Sequence, residues 1–527
     1  MSGPYYPWVD GKELGPTGGR EPERSADQHR RLLIEDPSTG ELIAECHVPS
    51  EDDLDTAVRV AHAAFQSRVW SRMECSQRAD VLDKCALLLT DALPELINLE
   101  SRQTGRVIRE MKTQLPSLVR WFKYYAALLR VDEQSVLPTT GKLHNFTSRV
   151  PLGVVVLITS FNHPLLIATK KLAPALAAGN SVILKPSELT PLTSILLGKI
   201  LHRAGVPAGV FNVLPGTGSS VGPALVSHPL VRKVDVTGGT EMGRAIGAIA
   251  GGKLCPFTAE LGGKAPLLVF ADANVQAAVN GIAFGSYIAS GQTCVASTRI
   301  IVDNTIMDNL LQALKTKVDG ITARMGAPIH PQSMMGPLIS RKQLAKVDRY
   351  VAEALENFAV RPLVGGKRLQ GRSALDGFDF SRGYFYEPTV LVSRDGQITN
   401  MPIWRRELFG PVIVVVGFDT EDEALALAND TEFGLGAGIW TTDLARAFRV
   451  SEKIEAGIVW VNTHHRNDPS SPWGGAKPAS GVGSENGIDA YHAYTTTKST
   501  VVNFAPYQES LDMDDWFGEA SQNVRYG

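Results

Sequence analysis

The sequence predicts an α/β protein built on doubly wound parallel sheets, and three patterns lead to that prediction. From Val154 onward, short β-branched or apolar runs alternate with segments of helical apolar spacing. Glycine, proline and asparagine punctuate the alternation, which restarts after the run TAELGG. The length of 527 residues is sufficient for two or three domains with large cores.

The first alternating series contains four strand–helix units. Their strands are expected at VVVLIT, SVILKP, VFNVLP and KVDVTG, and a helical pattern follows each one. Consecutive units of this kind form a parallel sheet with right-handed crossovers. Because such sheets bind ligands at the carboxyl ends of their strands, functional side chains are expected at those ends.

The flanking segments complete the predicted architecture. The region up to about Val136 contains a loop rich in glycine, proline and charge (Glu13 to Arg31) and then helices at DLDTAVRVAHAAF and RADVLDKCALLLTDAL. After TAELGG, strands at PLLVF and TRIIV flank a helix at AAVNGIAFGSYIAS, and a long helical stretch begins at Thr305. The alternation continues to about Asn462, so we interpret this part as a second α/β domain.

Composition and charge disfavour several classes of protein. The 52 basic residues nearly balance the 55 acidic ones without a long block of one sign, so no nucleic-acid partner is expected. The five cysteines are dispersed and form no CxxC or Cys/His cluster, which argues against disulfides and structural zinc. No signal-peptide layout and no bilayer-length apolar run is present, so we expect a cytoplasmic protein without a membrane partner.

Three residues are suited to chemistry, each with an ordinary alternative. Cys294 follows a Gly-Gln-Thr turn that could present a nucleophilic thiol, although a buried structural cysteine is favoured when it is considered alone. Glu260 lies in an apolar run, where partial desolvation would raise its pKa toward that of a base, or where it forms a structural salt bridge. Asn162, just past a predicted strand, could donate to an oxyanion or simply form a turn.

Together these segments resemble the aldehyde dehydrogenase superfamily, from about Tyr6 to about Phe504. The family's glutamate motif stands as ELGGK from Glu260 to Lys264, and its GQxC motif ends at Cys294. The resemblance implies a doubly wound dinucleotide-binding domain, an α/β catalytic domain and a small oligomerisation β-sheet. It also implies NAD(P)-dependent, hydrolytic oxidation of an aldehyde to a carboxylic acid without a metal, most like EC 1.2.1.3.

The resemblance also assigns catalytic roles. It implies that Cys294 is the nucleophile, Glu260 the general base, and Asn162 the oxyanion donor together with the Cys294 backbone N–H. The carbonyl would form a thiohemiacetal and then a thioester, which water hydrolyses. Lys171 matches a lysine common near the family's active centre, and its alternative is a solvated helix face.

The resemblance implies cofactor contacts at the adenine ribose, at the phosphate loop, and at Glu407 and Phe409, which resemble the residues that hold the nicotinamide ribose and ring. Lys185, Ser187 and Glu188 stand where the family binds the adenine ribose, and the acid at Glu188 favours NAD over NADP because it would repel a 2′-phosphate. The phosphate loop matches VTGGTEMG, with Gly239 where serine is usual. The complete implied set is Thr159, Ser160, Phe161, Lys185, Ser187, Glu188, Gly218, Thr237, Gly238, Gly239, Thr240, Gly243, Leu261, Glu407 and Phe409.

The implied substrate pocket departs from the family pattern. His163 stands where an aromatic residue commonly follows the oxyanion Asn, and Lys170 stands at the position of a pocket Trp. The resulting pocket would be polar and could pair with a carboxylate or hydroxylated substrate, unless the HHRND loop simply faces solvent. The pocket positions are His163, Lys170, Thr293, Val295, Arg466, Asn467 and Trp473.

The resemblance suggests domain boundaries and self-association. The dinucleotide-binding domain is expected at 1–136 and 152–262, the catalytic domain at 263–479, and the oligomerisation strands at 137–151 and 488–506. Residues 507–527 are a tail without an assignment. Because exposed edge strands require covering, we expect a homodimer or homotetramer.

Two alternative functions stay open at this point. One is a coenzyme A-acylating aldehyde dehydrogenase, in which the thioester passes to coenzyme A and Glu260 has no deacylating task. The other is a catalytically silent family member that serves as a binding or structural protein. A Cys-His hydrolase that uses His464 or His465 has only composition in its favour.

Overall fold

The structure is a computed structural model that describes residues 3–15, 31–139, 141–357, 360–513 and 517. Most of the predicted loop from Glu13 to Arg31 lies outside the described residues, as does most of the tail 507–527. Within the described ranges, strands and helices alternate from residue 154 to residue 461, as the sequence predicts.

The strands, in chain order, are β1 (Trp8–Val9), β2 (Lys12–Glu13), β3 (Arg31–Glu35), β4 (Leu42–His47), β5 (Val136–Leu137), β6 (Leu143–Pro151), β7 (Val154–Ile158), β8 (Ser181–Lys185), β9 (Phe211–Val213), β10 (Val231–Thr237), β11 (Phe257–Glu260), β12 (Ala265–Val269), β13 (Ser297–Asp303), β14 (Arg361–Val364), β15 (Thr389–Ser393), β16 (Val412–Phe418), β17 (Gly436–Trp440), β18 (Ile458–Val461), β19 (Gly481–Val482) and β20 (Thr495–Asn503).

The α-helices are α1 (Glu51–Gln66), α2 (Cys75–Asp91), α3 (Leu93–Thr104), α4 (Ile108–Gln114), α5 (Val119–Val131), α6 (Pro164–Ala177), α7 (Leu192–Ala204), α8 (Val221–Ser227), α9 (Thr240–Gly252), α10 (Val275–Tyr287), α11 (Met307–Thr322), α12 (Arg341–Leu355), α13 (Pro402–Arg405), α14 (Glu421–Asn429), α15 (Leu444–Lys453), α16 (Gly487–Ala493) and α17 (Tyr507–Met513). Short 3₁₀ helices cover Leu115–Leu118, Ile288–Gly291, Phe380–Arg382, Gln397–Asn400 and Pro478–Ser480.

The larger sheet contains the four predicted strands of the first series. Its order is β19-β11-β10-β7-β8-β9-β1-β2, and β10, β7, β8 and β9 pair in parallel. Successive residues of β7 enter two different cores, because Val155 and Leu157 face one layer of helices whereas Val154 and Val156 face the other. Burial on both faces explains why this strand is continuously apolar rather than alternating.

The second sheet follows the order β14-β15-β16-β13-β12-β17-β18. Its members pair in parallel except for β14, which runs antiparallel to β15. The predicted strands PLLVF and TRIIV are β12 and β13, and α10 joins them. The helical stretch expected from Thr305 is α11, and α12 is a second helix beyond it. These two sheets confirm the predicted fold class.

A smaller antiparallel sheet has the order β20-β6-β5. β6 and β20 pair along nine residues, which joins the segments HNFTSRV and TTTKSTVVN across more than 300 positions of the chain. Most residues of β20 are exposed. Among the helices described, none combines the length and the hydropathy that a membrane span requires.

Candidate active site

Residues at the ends of strands from both large sheets line a cavity of about 220 Å³. Glu260 ends β11, Asn162 follows β7, and Cys294 precedes β13. All three side chains line this cavity. The structure therefore brings together residues that are up to 132 positions apart, and we call this space the inner cavity.

The loop before Cys294 has an unusual backbone. Ala289 and Ser290 have positive φ angles of 52° and 56°, and Gly291 follows with a φ of 71°. Consecutive left-handed residues other than glycine are costly and occur where surrounding structure holds them, often at functional sites. A hydrogen bond from the Ile339 N–H to Gln292 Oε1, at 3.0 Å, anchors the next residue. This loop therefore presents Cys294 in a defined position.

The ELGGK loop packs directly against the cysteine. A Cβ atom added at Gly263 would overlap the carbonyl oxygen of Cys294, so only glycine permits this approach. The thiol itself is half-buried. Burial, together with the Glu260 carboxylate, raises the pKa of Cys294 to about 12. The thiol is therefore protonated at neutral pH and requires a proton acceptor before it can attack.

The Glu260 side chain is buried, and no hydrogen bond from a described residue offsets the free-energy cost of burying its carboxyl group. Both of its carboxyl oxygens lack a hydrogen-bond partner among the described residues, although the side chain is only 2% exposed. Burial raises the pKa of Glu260 well above its ordinary value, and the nearby Glu485 carboxylate raises it further. A buried polar group without a partner is rare in folded proteins and usually has a functional reason. Because its pKa is raised, the Glu260 carboxylate is a stronger base than a carboxylate in water.

The Asn162 side chain is held at both ends. Its Oδ1 accepts a hydrogen bond from Ser160 Oγ at 2.7 Å, and its Nδ2 donates to the Gln292 carbonyl at 2.9 Å. An amide nitrogen has two N–H donors, so one stays available for a further acceptor. The backbone N–H of Cys294 forms no hydrogen bond within the described part of the chain. When the sulfur of Cys294 bonds to a carbonyl carbon, the carbonyl oxygen becomes an oxyanion. These two donors can stabilise that oxyanion.

Lys171 belongs to a buried charge cluster next to the inner cavity and does not line it. Its ammonium group pairs with Asp235 and with Glu485 Oε1, and Lys170 pairs with Glu485 Oε2 at 2.7 Å. Burial would raise the pKa of Glu485, but the two lysines outweigh it and hold that pKa at about 2. The cluster thus places an ionised carboxylate beside Glu260.

Glu485 was absent from the sequence-derived candidates, although a signal for it existed. The GGxKxSGxGRE motif of the aldehyde dehydrogenase superfamily resembles GGAKPASGVGSE here, with an extra residue between Lys477 and Ser480 and with Ser484 in place of Arg. Glu485 is its final residue. Backbone hydrogen bonds between Glu485 and Trp473, at 2.7 and 2.8 Å, hold the carboxylate at the cavity wall. The Lys170 ammonium lies 4.3 Å from the centre of a Trp473 ring.

The expected nicotinamide end of the cofactor site is a cleft that opens into the inner cavity. The predicted cofactor residues that line the cavity are Ser160, Phe161, Thr237, Gly238, Gly239, Leu261, Glu407 and Phe409. Of these, Glu407 and Phe409 are the two expected at the nicotinamide. Glu407 Oε1 accepts a hydrogen bond from the Gly263 N–H at 2.9 Å. The rings of Phe161 and Phe409 meet edge to face at 5.7 Å. The cleft is therefore preformed.

The phosphate-loop residues lie where β10 meets α9. Gly239 caps the amino end of α9, and the space beside its Cα is open. The Thr240 hydroxyl donates to the Ala479 carbonyl at 2.8 Å, and Gly243 lies against Leu261. The Thr237 hydroxyl has no partner among the described residues. Free N–H groups at this helix start suit a pyrophosphate.

The predicted ribose contacts lie at the ends of the adjacent strands. Lys185 ends β8 and is buried, and its ammonium is 3.5 Å from the half-exposed Glu188 carboxylate. Thr159 follows β7, and its buried hydroxyl lacks a partner in the described residues. The Ser187 hydroxyl accepts a hydrogen bond from the Leu189 N–H at 3.3 Å. Gly218 is exposed, and a Cβ atom added at this position would have no other atom within 4 Å.

The structure separates the predicted pocket residues into three groups. His163, Lys170, Thr293, Asn467 and Trp473 line the inner cavity. Arg466 is exposed and lines a second, outer cavity instead. Val295 is fully buried in a cluster with Leu435, Trp460 and Trp473, so it supports the wall from behind.

Arg106 and Gln114 were absent from the candidates, and His465 was named only for a Cys-His hydrolase. Arg106 Nη1 donates to His163 Nδ1 at 2.7 Å and to Gln114 Oε1 at 2.7 Å. His465 lines the inner cavity and faces the His163 ring at 6.1 Å. Only its position in the HHRND run pointed to His465, and nothing local marks Arg106, which lies 57 positions before His163.

Comparisons with known proteins agree with this geometry. The model of the aldehyde dehydrogenase family matches residues 24–500. A putative aldehyde dehydrogenase from Burkholderia cenocepacia shares 36% identity, with 95% of this chain and 99% of that chain covered and a TM-score of 0.88. A betaine aldehyde dehydrogenase from Staphylococcus aureus, solved with NAD⁺, shares 33% identity over 98% and 96% of the chains, with a TM-score of 0.89. An indole-3-acetaldehyde dehydrogenase from P. syringae, also solved with NAD⁺, shares 33% over 95% and 96%, with a TM-score of 0.87.

Proposed function

Because the chain belongs to the aldehyde dehydrogenase family, we propose that it oxidises an aldehyde to a carboxylic acid with NAD through covalent intermediates on Cys294. One observation supports this most strongly. A thiol, a buried carboxyl without a hydrogen-bond partner and a fixed amide donor line the same cavity, at Cys294, Glu260 and Asn162. These are the groups that acyl transfer through a thioester requires.

The residues of the cleft fit a dinucleotide. The buried hydroxyls of Thr159 and Thr237 lack partners among the described residues, and the α9 start leaves room beside Gly239. NAD is bound in the solved structures of the Staphylococcus and P. syringae relatives. The half-exposed Glu188 carboxylate favours NAD over NADP, because it accepts from ribose hydroxyls and repels a phosphate. When bound, NAD supplies the hydride acceptor.

In the first half of the reaction, Cys294 loses its proton and its sulfur attacks the carbonyl carbon to form a thiohemiacetal. The oxyanion that develops accepts hydrogen bonds from Asn162 Nδ2 and the Cys294 backbone N–H. Loss of hydride from the same carbon leaves a thioester on Cys294. The Gln292 carbonyl keeps the Asn162 amide in place during this step.

In the second half, Glu260 removes a proton from water, which attacks the thioester carbon and releases the acid and the free thiol. Its raised pKa matches this task, because a carboxylate of ordinary pKa is a weak base. The same arrangement favours water over coenzyme A as the acyl acceptor, since a deacylating base serves hydrolysis. Product analysis with and without coenzyme A distinguishes the two acceptors.

The decisive experiment mixes the purified protein with NAD, and separately with NADP, over an aldehyde panel and follows the absorbance of reduced nicotinamide. We expect turnover with NAD and none above background in Cys294→Ala. A normal thermal unfolding midpoint in that variant shows that the loss is chemical. Absence of turnover with every aldehyde, or full turnover in Cys294→Ala, would contradict the proposal.

We also propose that the chain forms a homo-oligomer and works in a reducing compartment such as the cytoplasm. Exposed apolar side chains on both faces of β20, at Val501 and Val502, support self-association. All five cysteines are free, and Cys46 and Cys85 are buried as unpaired thiols. Such thiols persist where disulfides do not form.

A further inference from the structure

A second cavity of about 1080 Å³ lies next to the inner cavity, and exposed residues such as Arg466 line part of it. We call it the vestibule. Four residues line both spaces, namely Leu166, His465, Asn467 and Trp473. The remaining walls come from α4, α5, α10, α11 and the loop around residues 458–473. Because the same four residues line both spaces, the vestibule adjoins the inner cavity, and a substrate long enough to occupy both would place its far end in the vestibule.

The vestibule is strongly basic. Its charged side chains are Arg106, Arg109, Glu110, Arg120, Lys317, Arg324, Arg466 and Asp468. Both carboxylates are neutralised, since Arg106 Nε lies 2.9 Å from Glu110 Oε2 and Arg120 pairs with Asp468. The protein as a whole has a net charge of −3, so this accumulation of positive charge is local.

Four cations are left without a carboxylate. In the described part of the chain none of them forms an ion pair, and their side-chain contacts are to neutral groups. They are Arg109, Lys317, Arg324 and Arg466. Four like charges around one opening repel one another, and an anion placed among them relieves that repulsion. A cavity with low-dielectric walls also concentrates anions.

The walls between these cations are aromatic and apolar. They include Trp121, Phe284, Tyr287 and Trp460, and Phe284 is 48% exposed. An inorganic anion forms no favourable apolar contact with such walls, whereas the carbon chain of an organic anion packs against them. The combination indicates a ligand with an anionic end and an apolar body.

We propose that the vestibule binds an anionic group of the substrate, so that the preferred aldehydes carry a carboxylate or a similar anion separated from the carbonyl by an apolar spacer. This inference rests on the proposed function, because the carbonyl must reach Cys294. It also gives Arg466 a role at the entrance rather than in the inner cavity.

The test compares kcat/KM for adipic semialdehyde with that for hexanal, which has the same chain length and no charge. We expect a preference of about tenfold for the acid, equivalent to about 1.4 kcal/mol, and a decrease of that preference at high salt. The phosphonate analogue of adipic semialdehyde shows whether the vestibule distinguishes a carboxylate from a phosphate-like anion. A ratio near one for both anions overturns the inference.

Substitutions that remove positive charge test whether the vestibule causes the preference for the acidic aldehyde. Lys317→Gln with Arg466→Gln should reduce the acid-to-neutral ratio about fivefold. Lys84→Gln with Arg203→Gln removes the same charge from exposed cations outside the vestibule that form no ion pair among the described residues, and it should leave the ratio unchanged. Equal effects in both double variants would contradict the inference. If neither hexanal nor the semialdehydes are oxidised while another aldehyde of the panel is, the inference is overturned. If no aldehyde is oxidised, the proposed function itself fails.

A binding measurement without turnover provides a second readout. Three tryptophans line the vestibule, at positions 121, 460 and 473. Adipate should quench tryptophan fluorescence in a salt-dependent way in the wild-type protein and much less in the Lys317→Gln, Arg466→Gln variant. Quenching that is unchanged by salt and equal in the wild-type protein and the variant would contradict binding through these cations.

A different observation concerns His163 in the inner cavity. Arg106 is always a donor, so its contact at 2.7 Å makes His163 Nδ1 an acceptor and places the ring proton on Nε2. This buried Nε2 has no partner among the described residues. Burial and Arg106 keep the pKa of His163 well below its ordinary value, so the ring is neutral. A buried donor without an acceptor costs free energy until an acceptor arrives.

We infer that His163 Nε2 donates a hydrogen bond to an oxygen on the substrate chain near the carbonyl. The α-hydroxy and β-hydroxy derivatives of hexanal test this against hexanal itself. The wild-type protein should prefer at least one of the derivatives by about tenfold or more. His163→Phe keeps a ring but removes the donor, so its ratio should approach one, whereas His163→Gln should retain part of the preference.

His163→Leu provides a second donor-free variant in case the phenylalanine is not tolerated next to Arg106. Thermal unfolding of each variant confirms that a folded protein is compared. Equal ratios in the wild-type protein and the donor-free variants would overturn the assignment of His163. That result would not affect the role of the vestibule, which depends on other residues.

Discussion

At the scale of single residues, the environment of Glu260 sets the chemistry. Its two oxygens are buried, free of hydrogen bonds within the described structure, and close to the ionised Glu485. Such a carboxyl prefers to be protonated, which makes it a stronger base once ionised. Removing the carboxyl should therefore affect hydrolysis more than formation of the thioester.

We expect Glu260→Gln to give a burst of reduced nicotinamide of one equivalent or less per active site, followed by turnover reduced by about 10²–10⁴-fold. The amide keeps the size of the side chain but cannot accept a proton. Rapid-mixing absorbance measures both phases. Loss of the burst as well would show that Glu260 also activates the Cys294 thiol.

Lys170 tunes this base through charge. It pairs with Glu485 at 2.7 Å, and its positive charge lowers the pKa of Glu260, against the larger effect of burial. Because Glu260 acts in its ionised form, the rate of hydrolysis should rise with pH through its raised pKa. Lys170→Met should move this rise to higher pH, whereas Lys170→Arg keeps the charge and should move it little.

The measurement for Lys170 is the pH profile of kcat under conditions in which hydrolysis limits the rate. Glu260→Gln should abolish the rise and serves as the reference. An unchanged profile in Lys170→Met would show that the ion pair with Glu485 is only structural.

At the scale of elements, two loops meet at the thiol. The ELGGK loop after β11 lies against the Cys294 backbone, and the strained turn from Ala289 to Gly291 supports the cysteine from the other side. Neither loop has room to move independently, since Gly263 lies in contact with the carbonyl of Cys294. Small backbone shifts here should therefore affect the chemistry strongly.

Gly263→Ala should displace the Cys294 loop and reduce kcat by about 10²-fold. Gly251→Ala, near the end of α9, meets no atom within 4 Å and is the matched control. Because alanine favours helix, that control should raise stability by about 0.4–1 kcal/mol and leave kcat unchanged. Wild-type activity in Gly263→Ala would contradict the close fit of the two loops.

At the scale of the whole molecule, the three-stranded sheet and its flank expose several apolar side chains. Val136, Val501 and Phe504 are 64%, 57% and 60% exposed. Apolar side chains on an exposed sheet favour contact with a second copy of the chain. The domain boundaries expected from the sequence stay predictions.

Light scattering should therefore give a mass that is two or four times that of the chain. Val501→Glu with Val502→Glu should shift the protein toward the monomer, because it places charge on the sheet. Leu87→Glu, at an exposed position of α2, is the matched control and should not change the mass. A monomeric wild-type protein would contradict the proposed self-association.

What the sequence determined by itself follows from local pattern. Continuous apolar runs such as β7 and the helical spacing between them predict the fold class, because burial on both faces of a parallel sheet demands that pattern. The ELGGK and GQTC motifs single out Glu260 and Cys294 through the resemblance to the aldehyde dehydrogenase superfamily, because each residue considered alone has an ordinary structural alternative.

Only the tertiary structure decided the electrostatics of the site. Lys170 meets Glu485 across 315 positions, and Arg106 contacts the His163 ring from the loop between α3 and α4. Contacts between residues that are far apart in the sequence decide whether a charged group is buried, paired or left free. Local periodicity of the sequence does not encode these contacts. For the same reason, the nearly balanced charge of the sequence does not predict the basic vestibule. The vestibule forms because the fold places cations from distant parts of the chain around one opening.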